Sequence, residues 1–314
     1  MKSSESTRPV TPKRWLPFYL PLALIWGCTF LFISLGLESL TATGIAFLRL
    51  SFGAVTLILI SVITRTAPLP RWTWKYVFVA SIMWTSMPWM MFAFAQQYVT
   101  SALAGIINGA TPLMTLLAII AFFPEEHPTR QRVVGLVIGF IGITIVIGFW
   151  RIGDSSSLIG IAALVLAISG YGLGFPFVRR HLSGTRDRPA PNPIALATGM
   201  MVGGLIVVAP LALITGVTWN GIGNVTLLSI AGVAALGILG SGIAYVLNFT
   251  VVQRSDATTA STVAYLTPLV ALTVGALLLN EPISWNEPVG GLLVVLGAAI
   301  AQGLVRWRRR DRKT

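Results

Sequence analysis

Ten long apolar stretches dominate the chain and constrain its fold more than any other feature. Each has 19 or more residues with no Asp, Glu or Lys in its interior, and together they fill about three quarters of the 314 residues. A helix needs roughly 20 apolar residues to cross a bilayer. Charged residues are only 10% of the chain, against about 25% in an ordinary globular protein. The sequence therefore predicts an all-α integral membrane protein.

The apolar stretches are expected to be helices, because backbone groups inside lipid must be hydrogen-bonded within the segment and barrel strands are much shorter. We predict ten transmembrane helices at residues 15–35, 41–64, 73–97, 101–123, 132–150, 156–178, 192–215, 225–250, 257–279 and 286–305.

The distribution of Lys and Arg predicts the orientation. If the N-terminus is cytoplasmic, 20 of the 22 basic residues fall on cytoplasmic ends, loops and tails, leaving Arg151 outside and Arg49 within a span. Such an excess is typical of cytoplasmic loops. Ten spans place both termini in the cytoplasm. The basic C-terminal tail is expected to be a topology signal that contacts anionic lipid, and nucleic-acid binding is not expected.

An internal repeat divides the chain into two halves. At an offset of 156 residues, the tripeptide Thr-Pro-Leu at 111–113 recurs at 267–269, and Glu125 recurs as Glu281. Chance similarity between leucine-rich helices is the alternative, but it does not easily give a shared tripeptide and glutamate at one spacing. Because each half has five spans, the second half must be inverted. The predicted organisation is an N-terminal tail at 1–14, repeats at 15–150 and 151–305, and a basic tail at 306–314.

Several short motifs together indicate a family. They are W-G-C-T-F-L-F-I at 26–33, F-L-R-L at 47–50, and the two T-P-L tripeptides, each followed by a glutamate thirteen residues after its proline. Over nearly the whole chain the sequence resembles the EamA branch of the drug/metabolite transporter superfamily. This resemblance implies an inverted-repeat exporter in the bacterial inner membrane with a central cavity. Within that branch, the chain is most similar to YddG-type exporters of aromatic and other amino acids.

Polar and aromatic residues recur at helical spacing on several spans and are candidates for lining a cavity. Asn108 and Thr111 share a stripe with Thr115 in the fourth span, and Ser241 and Tyr245 share a face of the eighth. Helix packing through small and hydroxyl residues is the alternative interpretation. The candidate cavity residues are Trp84, Pro88, Asn108, Thr111, Tyr171, Ser241, Tyr245, Asn248 and Tyr265.

Two pairs of repeat-related residues are candidates for a hinge and a gate. Pro112 and Pro268 occupy equivalent places in the two halves, where each can act as a hinge or simply as a static kink. Glu125 and Glu281 fall in turns on opposite sides and are expected to cap or brace helix ends at the gates, with direct coupling to protons as the alternative. Arg49 is the intramembrane charge, with two interpretations: a site for an anion or a substrate carboxylate, or a structural residue that snorkels to the interface.

The apolar interiors also restrict the chemistry. No Asp, Glu, Lys or His lies in the middle of any predicted span, which disfavours a proton relay and a buried carboxylate for cations. Cys28 is the lone cysteine, and the sequence suggests neither a metal site nor a cofactor. The expected substrate is neutral or zwitterionic, with an apolar part.

These observations predict a transporter that exports amino acids or similar amphipathic metabolites by alternating access, by facilitated uniport, as a monomer or homodimer. A proton-coupled exporter of another metabolite or drug is the alternative. A membrane enzyme acting on lipid-linked substrates is a rival from another class, but the sequence shows no acid, base or metal constellation for it, so an enzyme is not expected.

Overall fold

The computed structural model describes residues 15–122, 129–147, 155–182, 189–219, 221–254 and 263–301. In these ranges the secondary structure is helical, apart from an isolated β-bridge between Leu40 and Thr218. The α-helices of the described ranges are α1 (Leu16–Gly27), α2 (Thr29–Leu37), α3 (Ala42–Ile63), α4 (Trp74–Ser81), α5 (Met87–Ala95), α6 (Ser101–Asn108), α7 (Thr111–Phe122), α8 (Arg130–Ile147), α9 (Ser155–Leu182), α10 (Pro193–Thr215), α11 (Leu227–Ala235), α12 (Ala244–Arg254), α13 (Val263–Leu278) and α14 (Asn286–Ala301).

Six helical segments of the described chain are long and apolar enough to cross a membrane, which confirms a multi-pass membrane fold. The helices α6 and α7, taken together, are a seventh candidate span. The remaining predicted ranges hold α8, α13 and α14, the last two of which are shorter apolar helices. The count of ten spans, the repeat and the orientation of the termini stay predictions. The predicted tails at 1–14 and 306–314 and the repeat boundary at 150–151 lie outside the described residues.

The fourth predicted span is broken into two helices close to Pro112, where the sequence predicted a hinge or a kink. It is interrupted at Gly109 and Ala110, and α6 and α7 are bent by 41° relative to each other. Pro112 follows this break, and its ring and missing N–H disfavour a continuous helix there. The predicted stripe from Asn108 to Thr115 therefore lies on two helices with different directions.

Two spans contain a π-helical segment that the hydrophobic pattern did not predict. One lies at Ile82–Ser86 between α4 and α5, and the other at Leu236–Ile243 between α11 and α12. The residues equivalent to the first segment at the repeat offset of 156 are 238–242, which lie inside the second segment. A π segment has more residues per turn than an α-helix, so it shifts the face on which later residues lie.

Both copies of the Thr-Pro pair compensate for the hydrogen bond that proline removes. Pro112 has no N–H to donate to the carbonyl four residues earlier, and the Thr111 hydroxyl donates to that Asn108 carbonyl at 2.7 Å. In the same way, Thr267 donates to the Ala264 carbonyl at 2.9 Å, four residues before Pro268. The threonines therefore satisfy backbone groups that lipid could not.

Replacing Thr267 with valine is expected to destabilise the protein by about 1 kcal/mol, because the Ala264 carbonyl loses its donor. Thr267→Ser retains the hydroxyl and should unfold at the wild-type temperature. Thr273 is the matched control on the same helix, since it is exposed and its hydroxyl adds only a second bond to the Leu269 carbonyl. Thermal unfolding in detergent gives the unfolding temperature of all three variants. An equal loss for Thr267→Val and Thr273→Val would contradict this explanation.

The helices pack in a pattern that is unchanged when the two predicted repeats are exchanged. Helix α3 packs on α10, α8 on α14, and α6 on α13, in each case joining equivalent spans. Likewise, α9 contacts α5 and α7, while α1 contacts the equivalent helices α12 and α13. The largest buried apolar cluster includes residues from both halves, among them Phe30, Phe92 and Tyr265. The interior is therefore shared between the halves.

Candidate functional site

Arg49 is a buried cation near the junction of the two halves. It lies seven residues after the start of α3, which places it about 10 Å along the helix axis. The side chain is 7% exposed. Its Nε donates a hydrogen bond to the Ser241 hydroxyl at 3.0 Å, and its Cζ lies 3.6 Å from the centre of the Trp89 ring. The side chain thus bonds to other helices within the bundle.

Close packing of backbones brings Arg49 to Ser241. A Cβ atom added to Gly237 would lie 2.9 Å from the Arg49 carbonyl oxygen, and one added to Gly53 would lie 3.1 Å from the Ser241 Cβ. Small residues at such positions let membrane helices approach closely. Helix α3 therefore lies directly against the π-helical segment that carries Ser241.

Aromatic side chains extend from Arg49 toward the first span. The Trp89 Nε1 donates to the Tyr171 hydroxyl at 3.1 Å. Ring centres are 6.1 Å apart for Tyr171 and Phe92, and 5.6 Å apart for Phe92 and Phe30. These residues come from α2, α5 and α9, so the aromatic surface joins three spans.

Tyr245 also belongs to the site around Arg49. It lies four residues after Ser241, and Tyr171 and Tyr245 are both near enough to Arg49 to interact with its charge. The Tyr245 ring is 6.5 Å from Trp26 in an edge-to-face arrangement, and Trp26 donates to the Gly240 carbonyl at 3.2 Å. We call Arg49, Trp89, Tyr171, Ser241 and Tyr245 the Arg49 cluster.

The structure pairs Arg49 with no carboxylate among the residues that it describes. The described acidic residues are Glu38, Glu281 and Glu287, and none bonds to Arg49. Only Nε of the guanidinium donates a hydrogen bond within the described part of the chain. Arginine binds planar anions through pairs of N–H groups, so the terminal nitrogens of Arg49 could bind such an anion. Groups of three or more His, Cys, Asp or Glu that could hold a metal do not occur in the described ranges.

The other candidate cavity residues are not all in the Arg49 cluster. Trp84 packs on Phe175 with ring centres 4.5 Å apart, in a separate apolar cluster. Pro88 is buried and contacts Gly170 of α9.

Three polar candidates have side chains without a hydrogen-bond partner in the described part of the structure. Asn108 ends α6, and Asn248 lies on α12 three residues after Tyr245; both are partly buried. The Tyr265 hydroxyl is buried and unpaired. Thr111 differs from them, because its hydroxyl bonds the Asn108 carbonyl.

The candidate gate residue Glu281 binds the N-terminal end of α6. One carboxylate oxygen accepts from the Ser101 N–H at 2.8 Å, and the other accepts from the Ser101 hydroxyl at 2.9 Å and the Ala102 N–H at 3.1 Å. These bonds satisfy helix-end donors and place a negative charge at the positive end of the helix dipole. Glu125 lies outside the described residues.

The candidate hinges differ from each other in local structure. Pro112 follows the break between α6 and α7, whereas Pro268 lies inside the continuous helix α13. Gly109, at the break, contacts the ring of Pro268 across the interface between the halves.

Trp89, which stacks on Arg49, is not among the predicted site residues. Its position three residues before Phe92 was a usable signal, because that interval places two residues on one helix face. A tryptophan there was therefore detectable on the same helix face as Phe92.

Comparison with known proteins places the chain in a family. The family described as "EamA-like transporter family" matches residues 13–148 and 158–302. A solved crystal structure with a TM-score of 0.65 and 16% sequence identity covers 93% of this chain and 99% of its own, which shows a shared fold.

Similar proteins extend over nearly the full chain. An uncharacterized transporter of Archaeoglobus fulgidus is 26% identical over 291 residues, covering 92% of this chain and 98% of the relative. Protein PecM of Dickeya dadantii is 26% identical over 298 residues, covering 94% of each chain. The uncharacterized transporter YoaV of Bacillus subtilis is 25% identical over 284 residues, covering 88% of this chain and 93% of the relative. The chain is therefore a multi-pass membrane transporter that belongs to the EamA-like transporter family.

Proposed function

We propose that this transporter exports amino acids or similar amphipathic metabolites across the bacterial inner membrane by alternating access. The observation that carries the proposal is the Arg49 cluster, a polar and aromatic group buried between helices. Its residues come from α3 and α5 of the first predicted repeat and from α9 and α12, with the adjoining π segment, of the second. Transporter substrate sites typically lie at such an interface between repeats.

Three observations support an inverted repeat as the basis of this mechanism. The family matches one stretch in each half, at 13–148 and 158–302. The packing pattern is preserved when the halves are exchanged, and both halves carry a π segment and a Thr-Pro pair at equivalent positions. Two equivalent halves around one site can exchange their roles on the two sides of a membrane.

The unequal hinges support motion between two states. The fourth span is bent by 41° before Pro112, while α13 continues through Pro268. In an inverted repeat, exchanging the conformations of the halves generates the state that opens to the other side. The opposite state would then have a bent ninth span and a straighter fourth span, with the two prolines as hinges.

The transport mode that we propose is facilitated uniport by a single chain. The described spans contain no carboxylate near Arg49 that could couple transport to protons. Because one chain supplies the whole Arg49 cluster, a monomer suffices, and a homodimer would contain two pathways. Proton-coupled export makes a different prediction, since a proton gradient would then drive accumulation of the substrate.

Counterflow in proteoliposomes tests this function. Vesicles loaded with unlabelled amino acids should take up labelled phenylalanine or leucine in a saturable way, with or without a pH gradient. Tyr245→Ala should lower the rate about tenfold or more, because it removes a large, partly buried aromatic contact surface. Tyr98→Ala is the control, since Tyr98 is an exposed tyrosine after α5. Equal rates for the two variants at equal folded yield would remove Tyr245 from the site.

Glu281 is proposed to close one end of the pathway, and Glu281→Gln should weaken that closure. The amide retains one acceptor oxygen, so it loses part of the bonding to Ser101 and Ala102 and the charge near the helix dipole. A cysteine at Ala104, in a background with Cys28→Ser, should react with a maleimide several-fold faster in this variant. Glu38 is exposed, so Glu38→Gln is the control and should leave the rate of the maleimide reaction unchanged. An unchanged rate in Glu281→Gln would contradict the gate.

A further inference from the structure

Arg49 makes an unusual electrostatic demand on its surroundings. A guanidinium that is 7% exposed in a membrane helix has lost most of its hydration, and such charges normally require a partner of opposite sign. No carboxylate of the described residues bonds to it, and its described contacts are a serine hydroxyl and aromatic side chains. An anion that enters the site would therefore supply a missing counter-charge.

The contacts of Arg49 also determine how an anion could bind. Nε is already bonded to Ser241, and one face of the planar guanidinium is covered by the Trp89 ring. The two terminal nitrogens remain, and together they present parallel N–H groups along one edge. The two oxygens of a carboxylate match that edge in spacing and plane. This geometry favours a planar carboxylate over a single-point acceptor.

No carboxylate of the described residues bonds to Arg49, so the described surroundings hold no anionic group that would select a positive charge. The ammonium of an α-amino acid lies next to its carboxylate, so it would lie close to the Arg49 charge and be repelled in this poorly hydrated environment. The described hydroxyl groups that interact with Arg49 are those of Ser241, Tyr171 and Tyr245, and none of them carries a compensating negative charge. The Trp89 face that could hold a cation is occupied by Arg49 itself.

The aromatic side chains next to the cluster suit an apolar substrate body. Tyr171 lies next to Phe92, and Tyr245 lies next to Trp26. Aryl groups favour offset or edge-to-face contact with such rings.

We infer that the Arg49 cluster recognises organic monocarboxylates with an aryl or alkyl body, and that the substrate's ammonium group is dispensable. The inference rests on the proposed function, because it names the substrate class of the same site. It narrows the proposed substrates to compounds that carry a carboxylate, of which amino acids are one case. Amines of the same shape that lack a carboxylate are not expected to bind.

A uniporter for monoanions would also have a defined direction. In a cell that is negative inside, the membrane potential drives anions outward, and 100 mV corresponds to about a 50-fold concentration ratio for one charge. Export would then need no coupling ion, which agrees with the lack of acidic residues near Arg49 among the described residues.

Three matched ligands test the inference with the purified full-length protein. 3-Phenylpropionate has the carboxylate alone, phenylalanine has both charged groups, and phenethylamine has the ammonium alone. Ligand-induced thermal stabilisation should show phenylpropionate binding at least as tightly as phenylalanine, and about tenfold or more tightly than phenethylamine. The difference should disappear in Arg49→Gln. Binding of phenethylamine equal to that of phenylpropionate, or binding of none of the three, would overturn the inference.

Counterflow of labelled phenylalanine separates this result from the proposed function. Exchange that external phenethylamine inhibits as well as phenylpropionate would leave the transporter proposal intact and overturn the carboxylate inference. Carboxylate-selective binding without any exchange would support the inference about the site while contradicting amino-acid export.

Discussion

Replacing Arg49 with glutamine is expected to lower transport of a carboxylate substrate by about 100-fold. Removing one partner of a buried charge pair typically costs about 2–5 kcal/mol of binding free energy, and each 1.4 kcal/mol is a factor of ten. The substrate carboxylate would lose both N–H donors and its counter-charge. Initial rates of counterflow, compared at equal amounts of folded protein, measure the loss.

Stability distinguishes a binding role of Arg49 from a structural one. Because Arg49 has no described carboxylate partner, glutamine removes a costly buried charge, and the variant should unfold at the wild-type temperature or above it. A structural arginine would instead lower the unfolding temperature together with transport.

Arg49→Lys supplies the matched charge control. Lysine retains the positive charge, but it lacks the planar pair of donors. We expect it to bind 3-phenylpropionate with an affinity between those of wild type and Arg49→Gln.

A wild-type rate of transport in Arg49→Gln would contradict a role of Arg49 in substrate binding.

The positions of the helices were predictable because apolar runs of this length have few alternatives in a membrane. Each predicted range contains helix in the described chain, and the repeat of Thr-Pro-Leu marked residues with the same local bonding in both halves. What the tripeptide does locally was not apparent from the sequence. Only the bond from each threonine to a carbonyl freed by proline shows why the pair occurs together.

The side chains that meet in the site were harder to predict, because irregular turns change the helical periodicity. Within the π segment, the hydroxyls of Thr85 and Ser86 both donate to the Ser81 carbonyl. Trp84 in the same segment packs elsewhere, and Trp89 beyond it stacks on Arg49. A strict period of 3.6 residues does not describe such a span.

Tertiary partners were the least predictable feature. The sequence indicated that Glu281 caps a helix end, but not that the helix would be α6 of the other half. It also left Arg49 with two interpretations. A buried side chain bonded to Ser241 could be recognised only after α3 and the second π segment had been placed side by side.

Replacing Gly290 with alanine is expected to destabilise the protein by about 3 kcal/mol, the upper part of the usual cost of overpacking. The added Cβ would lie 2.7 Å from both the Gly142 carbonyl oxygen and the Val146 nitrogen. These are backbone atoms of α8, so a change of rotamer cannot relieve the clash and the two helices must separate. Separation forfeits the close packing that holds membrane helices together.

Gly291 provides a control on the same helix, one residue away. A Cβ atom there would lie 3.5 Å from the Ile106 side chain, which is ordinary contact, so Gly291→Ala should be tolerated and can add up to about 1 kcal/mol through helix propensity. The two variants are heated to a series of temperatures, and size-exclusion chromatography measures how much monodisperse protein remains after each step. Similar midpoints would mean that α8 and α14 do not depend on this contact. A selective loss in Gly290→Ala would show that close backbone packing holds the fifth predicted span against the tenth.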